Sequence, residues 1–82
     1  MQYNLYILKS LKDNNYYVGI SSDVEKRLQQ HNAGKTQSTK SRRPFIIVYV
    51  ETHKSRDEAR KREVYLKSYA GVNEKRKILE SL

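Results

Sequence analysis

Six consecutive apolar residues, Phe45-Ile46-Ile47-Val48-Tyr49-Val50, follow the only proline of the chain, Pro44. No apolar run in the sequence is longer, and this one is far short of the roughly 20 residues that cross a membrane. β-Branched and aromatic side chains dominate it, and no polar residue alternates with them. The pattern predicts a β-strand covered on both faces. A chain of 82 residues fits one domain, because so short a chain buries only about 60% of its unfolded surface. One core is expected, in a single domain spanning 1–82. With no cysteine in the sequence, neither a disulfide framework nor a thiolate metal site can support that core. Zinc ribbons and cysteine-based fingers are thereby excluded. The lack of cysteine fits a reducing compartment. The first residues, Met1-Gln2-Tyr3-Asn4, lack the basic start and apolar run of a signal peptide. A soluble, cytoplasmic protein without membrane contact is expected.

The segments on either side supply partners for the strand. Tyr3 to Lys9 and Tyr16 to Ser21 are rich in apolar and aromatic residues, and Lys12-Asp13-Asn14-Asn15 between them is a turn signal. Together they predict an antiparallel hairpin. Ser22 with Glu25 three residues later reads as a capping box, opening a helix that runs to about Asn32 and stops at Gly34. Ser55 with Glu58 reads as a second box, opening a longer helix to about Tyr69 that Gly71 ends. Asn73 to Leu82 suits a short final helix carrying Ile78, Leu79 and Leu82. The order is β-β-α-β-α-α, an α+β fold with a small antiparallel sheet flanked by helices.

Charge narrows the partner class. The net charge is +8, and residues 35–43 hold Lys35, Lys40, Arg42 and Arg43 with no acid, half of that excess. Thr36, Gln37, Ser38, Thr39 and Ser41 stand between these cations, and all can hydrogen-bond phosphate oxygens. A basic loop of this composition points to a polyanionic partner. A solvated basic surface is the plainer alternative. Gly34-Lys35-Thr36 resembles the end of a P-loop, but Gln29 stands where its first glycine belongs and the segment follows a helix, so that motif is rejected.

Phasing the helices exposes polar residues on core faces. Val24 and Leu28 define the inner stripe of the first helix, and Arg27 and His31 fall on or beside it. In the long helix Ala59, Leu66 and Ala70 define a stripe, with Glu63 inside it. A half-buried carboxylate has to be paired, coordinated or neutralised. An ion pair with Arg27, Arg60 or Arg62 would satisfy it. So would a Mg²⁺ ion, which often binds through one carboxylate, several waters and a substrate phosphate. His31, titrating near 6.5 when unperturbed, suits proton transfer. Tyr6 and Tyr17 lie on the two hairpin arms, and Gly19 shares the face of Tyr17 and leaves room for a ligand or another backbone.

These residues carry a family resemblance. The string from Tyr17 to His31, beginning Tyr17-Val18-Gly19, resembles the Y-I-G half of the GIY-YIG nuclease signature. Asn4-Leu5-Tyr6 stands at the G-I-Y element and keeps its tyrosine. Arg27, His31 and Glu63 follow in the family's order, and Thr39 to Pro44 resemble the small, single-domain bacterial members. The resemblance implies a three-stranded antiparallel sheet and metal-dependent hydrolysis of DNA phosphodiester bonds. It implies a catalytic set of Tyr6, Tyr17, Arg27, His31 and Glu63. Glu63 would hold Mg²⁺ (or Mn²⁺), Tyr6 would deprotonate or orient the attacking water, and Arg27 would grip the phosphate. Arg27 and the metal would depress the Tyr6 pKa. Gly19, Lys35, Thr39, Lys40, Arg42 and Arg43 would contact the nucleic acid, and Asn73 stands for an asparagine that members often carry later in the site. Preference for branched or flapped DNA, or a protein partner that supplies specificity, follows from the family alone. A non-catalytic nucleic-acid-binding module or an accessory subunit is the alternative.

Overall fold

The strand at the centre of the sheet is the first one in the chain. In the computed structural model, which describes residues 2–82 and leaves Met1 outside, β1 (Tyr3–Ser10) lies between β2 (Tyr16–Ser21) and β3 (Phe45–His53). The sheet order is β2-β1-β3, antiparallel throughout. Helix α1 (Val24–Asn32) follows β2, a 3₁₀ turn (Lys40–Arg42) precedes β3, and α2 (Arg56–Lys67) and α3 (Val72–Glu80) complete the chain. The α+β class, the three-stranded antiparallel sheet and the element order agree with the sequence expectation.

The apolar run forms β3, but it is an edge strand and is not covered on both faces. Ile46 and Val50 are 42% and 45% exposed, whereas Leu5, Tyr6, Ile7 and Leu8 of β1 are all buried. The run lacks alternation for a local reason. Ile7 pairs with Tyr49 and Leu8 with Ile47, so Val48 is an extra residue in the ladder, a β-bulge. Ile47 packs on one face of the sheet while Val48 and Tyr49 both pack on the other. A bulge thus imitates the unbroken apolar pattern of a central strand.

Each face carries its own core. Tyr6, Leu8 and Phe45 pack with Tyr17, Ile47, Val24 and Leu28, the last two from α1. Leu5, Ile7 and Val18 pack on the opposite face with Leu66 of α2 and with Ile78 and Leu79 of α3. The α2 stripe is Ala59, Glu63 and Leu66; Ala70 lies beyond the helix and is exposed, against expectation.

The caps differ in detail from the sequence reading. The N-cap of α1 is Asp23, not Ser22, and its carboxylate accepts from the Lys26 amide at 3.0 Å. Aspartate sits one residue closer to the helix and does the same work. Ser55 caps α2 as expected, accepting from the Glu58 amide at 3.2 Å, while the Glu58 carboxylate reaches back to the amide of Lys54. Gly34 follows α1 with φ of +78°, a left-handed conformation that ordinary side chains resist.

A second network ties α2 and α3 to the far end of β3. Glu51 accepts from Arg62 Nε at 2.7 Å, from the Tyr49 hydroxyl at 2.6 Å and contacts His53 at 2.9 Å. Arg62 also pairs with Glu74 of α3 at 2.9 Å. Burial alone would raise the Glu51 carboxyl, but the Arg62, Tyr49 and His53 hydrogen bonds hold it below the usual range.

Candidate active site

Cross-strand register puts Tyr6 of β1 directly opposite Gly19 of β2, and Leu8 opposite Tyr17. The Tyr6 ring lies over Gly19 so closely that a Cβ there would sit 2.5 Å from the Tyr6 hydroxyl oxygen. Gly19 therefore makes room for the Tyr6 ring. The ring centroids of Tyr6 and Tyr17 are 6.5 Å apart. Asn4, in place of the glycine of the G-I-Y element, spans the sheet: its amide donates to the Ser21 carbonyl at 3.3 Å and its oxygen accepts from the Thr52 hydroxyl at 2.9 Å.

Helix α1 lays two polar residues against this pair. His31 is fully buried, with its ring edge-on to Tyr17 at 5.0 Å between centroids. Its Nε2 is 3.1 Å from the Tyr6 hydroxyl, and its Nδ1 is 2.8 Å from Thr39 Oγ1. Arg27, one turn earlier and half-buried, is held by Gln30, whose side-chain oxygen accepts from Nη1 at 3.0 Å. Burial and the nearby Arg27 charge push the His31 pKa down to about 4, so near neutrality the ring is uncharged. Burial raises Tyr6 to about 12, outweighing the lowering by the nearby Arg27; Tyr17 and Glu63 add to the rise. Arg27 lowers Tyr6, as expected, but desolvation of a phenolate within the core is the larger effect and the net shift is upward.

Glu63 approaches from α2, close enough for its charge to act on Tyr6. It is only 6% exposed. Arg60 Nη1 donates to one oxygen at 2.6 Å and Lys67 Nζ to the other at 3.1 Å. The partner is therefore Arg60 rather than Arg27 or Arg62, joined by Lys67. Burial would raise the carboxyl, but these two cations hold it ionised below its ordinary range. Lys67 Nζ also lies 5.3 Å from the Tyr17 ring centroid, linking Glu63 to the tyrosines. Sequence reasoning missed Lys67, although its position four residues after a glutamate on one helix was the available signal.

The structure gathers Tyr6, Tyr17, Arg27, His31 and Glu63, and separates the expected phosphate contacts into two groups. Lys35, Lys40 and Arg43 are exposed. Thr39 and Arg42 are committed to the protein. Thr39 is fully buried on His31. Arg42 pairs with Asp13 at 3.1 Å, reaches the Tyr16 carbonyl and lies over the Phe45 ring at 5.6 Å. Buried Ser10 accepts from the amides of Lys12 and Asp13 and donates to the Arg42 carbonyl at 2.6 Å, fixing this loop to the hairpin turn. Asn32 was also missed; its side chain bonds both backbone groups of Phe45 and anchors α1 to β3. Asn73 is exposed in the first turn of α3, whose cap is Gly71, so it does not cap that helix.

Among the described residues no three His, Asp or Glu side chains converge on a common point. Glu63 would be a lone protein ligand. It fits a hard cation on two counts: it stays ionised, and its partners Arg60 and Lys67 have solvent-exposed side chains. No described helix is long and apolar enough to cross a membrane.

Comparison with known proteins agrees with this geometry. Residues 2–76 match the model of the GIY-YIG catalytic domain. A UPF0213 protein of Staphylococcus haemolyticus is 45% identical over 67 residues, covering 80% of each chain. A UPF0213 protein of Listeria welshimeri is 38% identical over 76 residues, covering 92% of this chain and 83% of its own. The solution NMR structure of a UPF0213 protein from Bacillus halodurans aligns with a TM-score of 0.56 at 31% identity, covering 98% of this chain and 84% of that one. Conserved architecture, a match over most of the chain and the gathered polar residues lead to one assignment: this chain belongs to the GIY-YIG family of nucleases.

Proposed function

We propose that this protein is an endonuclease that hydrolyses DNA phosphodiester bonds with the help of a divalent cation, Mg²⁺ or Mn²⁺. The observation that carries the reading is the buried Tyr6–His31 hydrogen bond, with Arg27 beside it and the ionised Glu63 near enough to act on Tyr6. Such a set is what an anionic substrate and a proton transfer require, and a scaffold serving only to fold has little use for it.

Each side chain then has a role set by its environment. Glu63 would hold the metal ion, whose chemistry is to stabilise charge developing on the phosphate and leaving oxygens. Arg27 presents a planar fork suited to two phosphate oxygens, and Gln30 aims it. With a pKa near 12, Tyr6 is a neutral phenol at physiological pH. It works as a relay: it takes a proton from the attacking water while passing its own to His31 Nε2. Neutral His31 has the lone pair for that transfer, and the incoming phosphate anion stabilises the imidazolium formed. Tyr17 and Lys67 flank the path. Lys35, Lys40 and Arg43 guide the DNA backbone electrostatically. A protein partner or the shape of branched DNA supplies specificity.

One observation favours a second reading. Both oxygens of Glu63 already have cationic partners, as a non-catalytic nucleic-acid-binding module or accessory subunit would keep them. Cleavage of end-labelled duplex, flap and four-way-junction DNA in Mg²⁺, Mn²⁺ or EDTA decides between them. The nuclease cuts only with metal, and Glu63→Gln abolishes cutting while leaving binding intact. Salt-sensitive binding by both proteins with no cutting in either metal would sink the enzyme reading.

A further inference from the structure

We propose that Thr39 is a positioning residue for this nuclease: its hydroxyl holds His31 in the Nδ1–H form, so that Nε2 faces the Tyr6 hydroxyl as a proton acceptor. The inference rests on the nuclease reading above and deepens it.

The direction of the hydrogen-bond chain carries the argument. It runs Tyr6, His31, Thr39, Thr36, with separations of 3.1 Å, 2.8 Å and 3.4 Å. Its last member is the Thr36 carbonyl, which can only accept. Thr39 has a single hydroxyl proton. When that proton points to Thr36, Oγ1 is left to accept, and His31 Nδ1 must be the donor. A neutral ring that carries its proton on Nδ1 has a bare Nε2. Tyr6 then donates to it. The reverse arrangement turns the Thr39 proton away from the Thr36 carbonyl and leaves the Tyr6 proton without a described acceptor.

Burial makes this control effective. His31 and Thr39 are fully buried and Tyr6 is 1% exposed, so bulk water does not compete for either ring nitrogen. The Thr39 amide also donates to the Thr36 carbonyl at 3.1 Å, which fixes the turn that delivers the hydroxyl. The basic loop therefore has an inward function as well as an outward one. Its exposed cations face the solvent while Thr39 sets the protonation pattern of the site.

The full-length chain, ¹⁵N-labelled at histidine, tests this through long-range ¹H–¹⁵N correlations of the His31 ring near neutral pH. The wild type should show the proton on Nδ1 and a bare Nε2. Thr39→Val keeps the shape and removes the hydroxyl; its ring should shift towards the Nε2–H form, with cleavage slowed about tenfold or more, as expected for damage to one proton-transfer group. Thr39→Ser should restore both. An Nε2-protonated ring in the wild type would overturn the proposal without any mutant having to fold. So would a Thr39→Val ring that keeps its tautomer, or one that changes tautomer with no effect on cleavage. A wild type that cuts no DNA yet shows the expected tautomer change in Thr39→Val would instead bring down the nuclease reading and leave the control of His31 by Thr39 standing.

Discussion

Acidification from about pH 6.5 towards 4 should weaken this fold through His31 before Glu51 or Glu63 takes up a proton. The ring is fully buried, and its pKa falls from 6.5 to about 4 on folding. Between those values the unfolded chain binds a proton at His31 and the folded chain does not. The unfolded state therefore gains as pH falls, and stability rises with pH across the window. Each pH unit inside it is worth about 1.4 kcal/mol. The full contribution, about 3 kcal/mol, is present above 6.5 and gone near pH 4. Against the 5–15 kcal/mol typical of a domain, that loss is large. Glu51 and Glu63 have pKa values held below 4.5, so their stabilisation is present above that value and fades only as pH falls through their lower folded values. The interval from about pH 6.5 to 5 thus isolates the histidine, with about 2 kcal/mol to be seen. Urea unfolding at several pH values measures it, with His31→Gln as the comparison that should lose this slope. An NMR titration of the His31 ring gives the folded pKa directly. A midpoint at or above 6.5 would refute the reasoning, and so would stability that stays flat across the interval in the wild type.

Other perturbations follow from the same contacts. Gly19→Ala forces a methyl group to within 2.5 Å of the Tyr6 hydroxyl oxygen; overpacking should destabilise the chain by about 1–3 kcal/mol and pull Tyr6 off His31, measured by thermal melting and by loss of cleavage. Arg42→Ala removes the Asp13 pair and the Phe45 contact and should lower thermal stability, whereas Lys40→Ala should leave stability alone and reduce the salt dependence of DNA binding by about one phosphate; equal melting temperatures in the two variants would contradict this division. Arg62→Met cuts the link from Glu51 to Glu74. Faster amide exchange in α3 than in α1 is the expected result, because Glu74 loses its only described ion-pair partner.

Much of the fold was legible because short-range chemistry dictates it. Apolar runs separated by Lys12-Asp13-Asn14-Asn15 could only be hairpin arms, and Ser55 with Glu58 fixed the start of α2. Helical phasing flagged Arg27, His31 and Glu63 for a general reason: a polar side chain repeated on a core face has to find a partner inside. The limits lie where the answer depends on a neighbour distant in sequence. Unbroken apolarity marked Phe45–Val50 as the covered strand, yet pairing order put β1 at the centre, and the bulge at Val48 explains the missing alternation.

The sequence by itself determined the element types, their order, the basic excess and the identity of the polar residues forced inward, since these follow from propensity, periodicity and charge along the chain. Tertiary structure alone decided which partners those residues have. Glu63 chose Arg60 and Lys67, Gly19 gave its space to Tyr6, Arg42 paired with Asp13, and Thr39 turned inward onto His31. Tyr6 ended with a raised pKa rather than a lowered one because burial, which no local pattern measures, outweighed the charge of Arg27. Pairing, desolvation and hydrogen-bond direction are properties of distances in space, and only the packed chain sets them.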